Sequence, residues 1–208
     1  MSVMAEQRRT VHPGSSLDDL WPHEDRPLTV DDLLRQPHDG NRYELVNGIL
    51  EVTPAPLNNH QRVVSRLQTL LDVTCPDDFE VLSGAGVNLA PNLHRIPDVI
   101  VITADLFEPE FHTRPPVLAI EVASRSTGKR DRTTKKREYA AFGIPSYWIV
   151  TPDAEHPSLT AYELRDGKYV QVTLVAGNER FEAAQPFPVT VVPRLLVADG
   201  AEWRSLLR

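Results

Sequence analysis

Two carboxylates stand where a core should be. The runs Ile96 to Ile102 (IPDVIVI) and Val117 to Ala123 (VLAIEVA) are short and almost continuously apolar, yet Asp98 interrupts the first and Glu121 the second. Runs of this kind are the pattern of strands buried on both faces of an α/β sheet. Burying an ionised carboxylate there costs several kcal/mol unless a cation or strong donors compensate it. The chain must therefore build central strands from these runs and bring positive charge to both. Taken singly, either carboxylate can cap a neighbouring helix or pair with an arginine such as Arg95 or Arg125. Two of them on adjacent strands, followed directly by a basic segment, point to a site.

That basic segment runs from Arg125 to Arg137, where thirteen residues hold seven basic side chains against one acidic, in a chain of net charge -7. The acidic total argues against nonspecific coating of nucleic acid, because such affinity comes from phosphate neutralisation. The local cluster suits either a solvated helix face or a focused site for a polyanion. Hard divalent cations such as Mg²⁺ take oxygen ligands and keep waters, so one or two carboxylates plus a substrate phosphate form a sufficient site. Zinc has no comparable footing: Cys75 is the only cysteine, and no CxxC, HExxH or HxH spacing occurs.

At 208 residues and 41% hydrophobic composition, the chain can bury one sizeable core. Residues 1–27 are polar and punctuated by Pro and Gly, which predicts a flexible arm. A main domain is expected over 28–176, with 177–208 as a Pro-rich peripheral segment of the same domain. No apolar run reaches the ~18 residues of a membrane span, and the N-terminus MSVMAEQRRT has no signal-type stretch. The expected location is the cytoplasm, without membrane association.

Local signals fill in the order. Thr29 followed by Asp31 and Asp32 has the N-cap and acidic first turn of a short helix. Asn47-Gly48 between alternating apolar residues predicts a two-residue hairpin turn within Tyr43 to Val52. His60, Val63, Val64, Leu67, Leu70 and Leu71 share one face of a helix over about 57–73. Phe79 to Leu89 reads as one or two strands. Ser126-Thr127-Gly128 opens a helix that continues through Tyr139 and stops at Gly143, and Ser146 to Val150 is another buried strand. Leu159 to Leu164 and Lys168 to Val175 form a second hairpin. Helix, three strands, helix, strand implies a mixed sheet with helices on its faces.

The segments RYELVNGILEVTPAPLNNHQRV, IPDVIVI, LAIEVASRST and DRTTKKREYAAFGIPSYWIVTP, in that order over about residues 28–165, resemble the Uma-two family of restriction-endonuclease-like proteins within the PD-(D/E)XK nuclease superfamily. The resemblance implies an α/β fold with a restriction-endonuclease-like αβββαβ core: a mixed central sheet flanked by helices, here with extra N-terminal and C-terminal β-hairpins. It also implies that Asp98 and Glu121 are the metal-binding pair, with the carbonyl of Val122 as a third ligand. The commonest superfamily pattern puts lysine two residues after the glutamate, where this chain has Ala123. The family places the lysine on the following helix, and the D-x3-K-x3-Y spacing matches Asp131, Lys135 and Tyr139. A spacing of four puts all three on one helix face, and Asp131 with Lys135 can equally be a plain ion pair. Lys136 points elsewhere.

Glu44 matches the acidic position that superfamily members carry before the sheet, or is an exposed strand carboxylate. His60 matches the HQ that opens the family's helix and can orient substrate or a water, or sit as a satisfied core histidine. Tyr147-Trp148 is a family landmark whose aromatic residues suit the core. The reading is a Mg²⁺-dependent DNA endonuclease, with Mn²⁺ possible, acting as a homodimer. Its rival is a nuclease-like scaffold that binds nucleic acid or a partner protein without cutting.

Overall fold

The computed structural model describes residues 26–35, 41–53, 56–123 and 128–207. The arm expected at 1–27 lies, up to residue 25, outside the described residues. So do Ser124 to Thr127, where the sequence places the opening of the basic helix. Along the chain come α1 (Val30–Leu33), β1 (Arg42–Val46), β2 (Ile49–Thr53), α2 (Asn58–Thr74), β3 (Phe79–Ser83), β4 (Val87–Ala90), β5 (Leu93–Arg95), β6 (Val99–Thr103) and β7 (Leu118–Val122). Then follow α3 (Gly128–Arg130), a π-helical turn (Asp131–Lys135), α4 (Lys136–Phe142), β8 (Ser146–Thr151), β9 (Ser158–Arg165), β10 (Lys168–Ala176), β11 (Phe181–Ala183), β12 (Val189–Val191) and α5 (Pro193–Val197).

By their contacts the described residues fall into two compact units, one within Met1–Ala55 with Ala90–His94, the other within Pro56–Leu89 with Arg95–Arg208. In the first, Thr29 precedes α1 and donates its N–H to Asp32 Oδ2 at 2.8 Å, while Arg26 grips both oxygens of the same carboxylate at 2.8 and 2.9 Å. β1 and β2 pair antiparallel through the turn at Asn47 and Gly48, whose positive φ of 52° and 80° is what this hairpin type demands. Leu45 of β1 stands opposite His94 of β5. Leu33, Tyr43 and Leu45 form the buried interior of this unit.

The second unit is built on a six-stranded sheet in the order β10-β9-β8-β7-β6-β3. Only β7 and β8 are parallel, because the chain between them crosses over through α3, the π turn and α4; the other pairs are antiparallel. Alternation along the strands sorts the interior into two layers. Val99, Val101, Leu118, Ile120 and Trp148 face α2, whose Val63, Leu67 and Leu70 cover them. Ile100, Ala119, Tyr147 and Ile149 face the other way and pack against Tyr139 and Ile144. The sequence-read order, helix, three strands, helix, strand, is present as α2, β3, β6, β7, α4, β8.

Two expectations are corrected here. Over the described part, 128–142, the basic helix is not a continuous α-helix, since its middle winds as a π turn. The segment after Gly177 is not peripheral: β11, β12 and α5 send Phe181, Phe187, Val189, Val191 and Leu196 into the α2-facing layer. Arg66 of α2 ties that segment down, donating Nη1 to the carbonyls of Leu196 at 2.9 Å and Ala198 at 2.7 Å. Among the described residues no helix is long and apolar enough to cross a membrane.

Candidate active site

Asp98 immediately precedes β6, after a proline that cannot join the ladder. Its N–H donates to the Ile120 carbonyl at 3.1 Å and its carbonyl accepts from the Gly84 N–H at 3.1 Å, so its backbone is held from both sides. Val99 stands opposite Ile120 and Ile100 opposite Ala119. Continuing that antiparallel register by one residue places Asp98 across from Glu121, and strand alternation turns the Glu121 side chain toward the layer of Ile100 and Ala119. Asp98 and Glu121 are 5% and 4% exposed.

Their compensation comes from two helices. Asp98 Oδ2 accepts the Val122 N–H at 2.8 Å and lies 3.0 Å from His60 Nε2, in the first turn of α2. The second ring nitrogen, His60 Nδ1, is buried with no hydrogen-bond partner among the described residues. Glu121 Oε1 accepts from Lys135 Nζ at 2.8 Å and from the Tyr139 hydroxyl at 2.7 Å. Lys135 is itself buried, and Tyr139 fully so. The spacing of four from Lys135, the last residue of the π turn, to Tyr139 of α4 spans one helical turn, which is why both converge on one oxygen.

The π turn sets where Lys135 leaves the helix. Such turns hydrogen-bond from i to i+5 and occur frequently at functional sites. Here the Asp131 carbonyl accepts from the Tyr147 hydroxyl at 3.0 Å, and the Asp131 side chain is buried. Burial, followed by the charges of Glu121 and Asp131, pushes the Tyr147 phenol well above its usual pKa, so it stays a donor. Lys136 lies on another side, its Nζ 3.7 Å from the centre of the Tyr162 ring, and burial lowers its pKa. Arg95 makes a two-point ion pair with Glu138.

Asp98, Glu121, His60, Val122 and Lys135 are thus brought together, with Val122 documented through its N–H and not its carbonyl. Glu44 lies on β1 of the first unit, buried, in register with Glu51. Tyr139 is the residue whose contact the sequence reading missed, although the four-residue spacing from Lys135 carried the signal. Among the described residues, no group of three or more His, Cys, Asp or Glu side chains could hold a metal ion. The arrangement offers two oriented carboxylates and one buried ammonium at the same end of neighbouring strands.

One similar solved structure is a crystal structure from Anabaena variabilis described as "a putative nuclease belonging to DUF820". It superposes with a TM-score of 0.62 at 17% identity, over 88% of this chain and 100% of that one, a likeness that shows the fold. No curated protein matches the chain. The model of the Uma2 family, whose description is "Putative restriction endonuclease", matches residues 30–197, and the chain belongs to that family.

Proposed function

We propose that the chain is a Mg²⁺-dependent DNA endonuclease of the restriction-endonuclease type. The observation that carries the reading is the Lys135 ammonium held 2.8 Å from Glu121 on the strand beside Asp98. It supplies the lysine that Ala123, just beyond β7, does not. The donor set fits a hard divalent cation, Mg²⁺ or Mn²⁺, which takes oxygen ligands and retains waters, so two carboxylates from the protein suffice. When bound, such an ion activates water and offsets charge on a phosphoryl transition state.

The protein's own residues then have separate tasks. Asp98 and Glu121 would hold the ion, with the Val122 carbonyl as a third donor. Their hydrogen bonds to the Val122 N–H, His60, Lys135 and Tyr139 fix each carboxylate before binding, which is how supporting groups tune a metal site. Lys135 would orient the attacking water and oppose the charge developing on phosphate. His60, whose Nε2 meets Asp98 and whose Nδ1 is buried, would hold that carboxylate in place and not touch substrate. For Glu44 the family pattern is the support. Cutting both strands with one site per chain takes two copies, so this reading has the protein act as a homodimer.

A non-cutting scaffold is the second reading, favoured by the protein donors that already meet both carboxylates, His60 on Asp98 and Lys135 with Tyr139 on Glu121. Incubation of supercoiled plasmid with Mg²⁺ separates them. Nicked or linear product from wild type, lost with D98N, E121Q or chelator, supports the nuclease. Intact plasmid together with a melting temperature indifferent to millimolar Mg²⁺ and Mn²⁺ would leave the scaffold.

A further inference from the structure

Glu121 receives two donors on one oxygen, and they differ in charge. The Tyr139 hydroxyl approaches Oε1 at 2.7 Å, in the short range of a charge-assisted O–H···O⁻ bond, while Lys135 Nζ stands at 2.8 Å. An ammonium both orients a carboxylate and cancels its charge. A phenol orients it and leaves the charge in place for a cation.

The terminal torsion of a glutamate is broad and roughly two-fold, so an unrestrained carboxylate turns freely. Two donors converging from successive turns of one helix restrict that rotation. Tyr139 is itself rigid. Its ring meets the Tyr147 ring edge-on at 5.3 Å and 81°, and Tyr147 stacks on Tyr169 at 5.6 Å and 30°. The Tyr147 hydroxyl is spent on the Asp131 carbonyl and the Tyr169 hydroxyl on the Ile144 carbonyl at 2.8 Å, so neither competes for Glu121.

From this we infer that Tyr139 is a positioning residue of the metal site: its hydroxyl fixes the rotation of the Glu121 carboxylate without neutralising it, and so sets how tightly the site holds a divalent cation. The inference rests on the nuclease reading above. It assigns Tyr139 a task distinct from that of Lys135, which acts on water and phosphate.

Tyr139→Phe removes the hydroxyl and keeps the ring, and Tyr147→Phe serves as the control within the same aromatic stack. Mn²⁺ binding by calorimetry and the Mg²⁺ dependence of plasmid cleavage are measured on the full chain. Y139F is expected to weaken Mn²⁺ binding and raise the Mg²⁺ half-saturation about tenfold, the scale of a missing supporting hydrogen bond to a ligand. Its rate at saturating metal should stay within about threefold of wild type, and Y147F should leave metal affinity unchanged. Equal Mn²⁺ affinity in folded Y139F and wild type overturns the inference and spares the nuclease reading. A loss of rate at saturating metal with unchanged affinity, an equal affinity loss in Y147F, or failure of Y139F to fold would each also overturn it, the last by making the hydroxyl structural. Wild type that neither binds Mn²⁺ nor cuts defeats both.

Discussion

Arg95 grips Glu138 at two points, Nε to Oε2 at 2.8 Å and Nη2 to Oε1 at 2.9 Å. The pair ties the segment that leads into Asp98 to the helix that carries Tyr139, one residue beyond Glu138. This planar contact thus joins the two segments that carry the candidate site. The guanidinium is 1% exposed and its partner 16%, so water does little to screen it.

Removing one partner of a buried ion pair leaves an uncompensated charge. Glu138→Gln is therefore expected to cost about 3 kcal/mol of unfolding free energy, read from chemical denaturation. Arg95→Lys should cost about as much, because an ammonium cannot reproduce the two-point geometry. A loss below about 0.5 kcal/mol in both, the range of an exposed pair, would show that the contact is not made in solution.

The Lys135 and Glu121 pair predicts non-additivity. Lys135→Met should lower plasmid cleavage by about two to three orders of magnitude, as when a preorganised electrostatic donor is removed. It should also destabilise the fold by about 3 kcal/mol, because Glu121 stays buried with its charge. Adding Glu121→Gln removes that charge, so the double variant should recover most of the stability and none of the activity. Lys136→Ala gives up only its interaction with the Tyr162 ring, worth roughly 0.5 to 1 kcal/mol, and should cut at nearly the wild-type rate. A greater loss of rate at Lys136 than at Lys135 would reverse the assignment of the lysine.

Hydrogen bonding from Arg26, then from the Thr29 backbone, holds the Asp32 carboxyl far below the usual aspartate range. With the folded value depressed, the unfolded chain binds the proton first. The stabilisation is complete above the ordinary aspartate pKa of about 4 and is lost as the pH falls below it. Urea unfolding from pH 6 to pH 3 should show Asp32→Asn less stable than wild type at the upper end, with the gap narrowing toward the lower. Arg26 is 40% exposed, so solvent screens part of the effect. A gap that stays constant across the range would mean that Asp32 carries no such shift.

If the nuclease reading holds, DNA runs over the basic turn. Arg130→Ala with Arg132→Ala should weaken binding alike for every sequence and reduce the logarithmic salt slope by roughly one for each phosphate that is no longer neutralised. Arg132 bonds the Gly128 carbonyl and the Thr151 hydroxyl from an exposed position, at the end of the sheet where Glu121 lies. An unchanged affinity and slope in a binding titration would move the DNA track elsewhere.

What the sequence revealed is what neighbouring residues settle among themselves. The Asn47-Gly48 turn, the apolar face of α2 and the stop at Gly143 each depend on a few consecutive side chains, and all are where local chemistry predicts them. Asp98 and Glu121 stood out because their neighbours are so apolar. The π turn was hidden, because the spacing of four among Asp131, Lys135 and Tyr139 is equally the signature of an ordinary α-helix. Arg95 was weighed against Asp98, three residues away, while its partner Glu138 lies 43 residues on and only the fold brings it close. β5 has three residues and β11 and β12 three each, too few for a period to register. For β11 and β12, burial is decided by the layer they pack against and not by their own pattern.

Arg66 makes the far end of the chain a condition for the near end of the site. Its guanidinium is buried, bonded to the carbonyls of Leu196 and Ala198, and lies 5.4 Å from the centre of the Trp203 ring. A chain shortened to end at Val192 would retain Asp98, Glu121 and Lys135 intact, yet strip Arg66 of these acceptors in the middle of α2. The helix would then lose the segment that ties it down, leaving Arg66 and the apolar residues beside it open to water about two turns from His60. Inactivity in such a shortened protein would report the loss of α2's seat on the sheet, and would be mistaken for evidence that the last sixteen residues take part in cleavage.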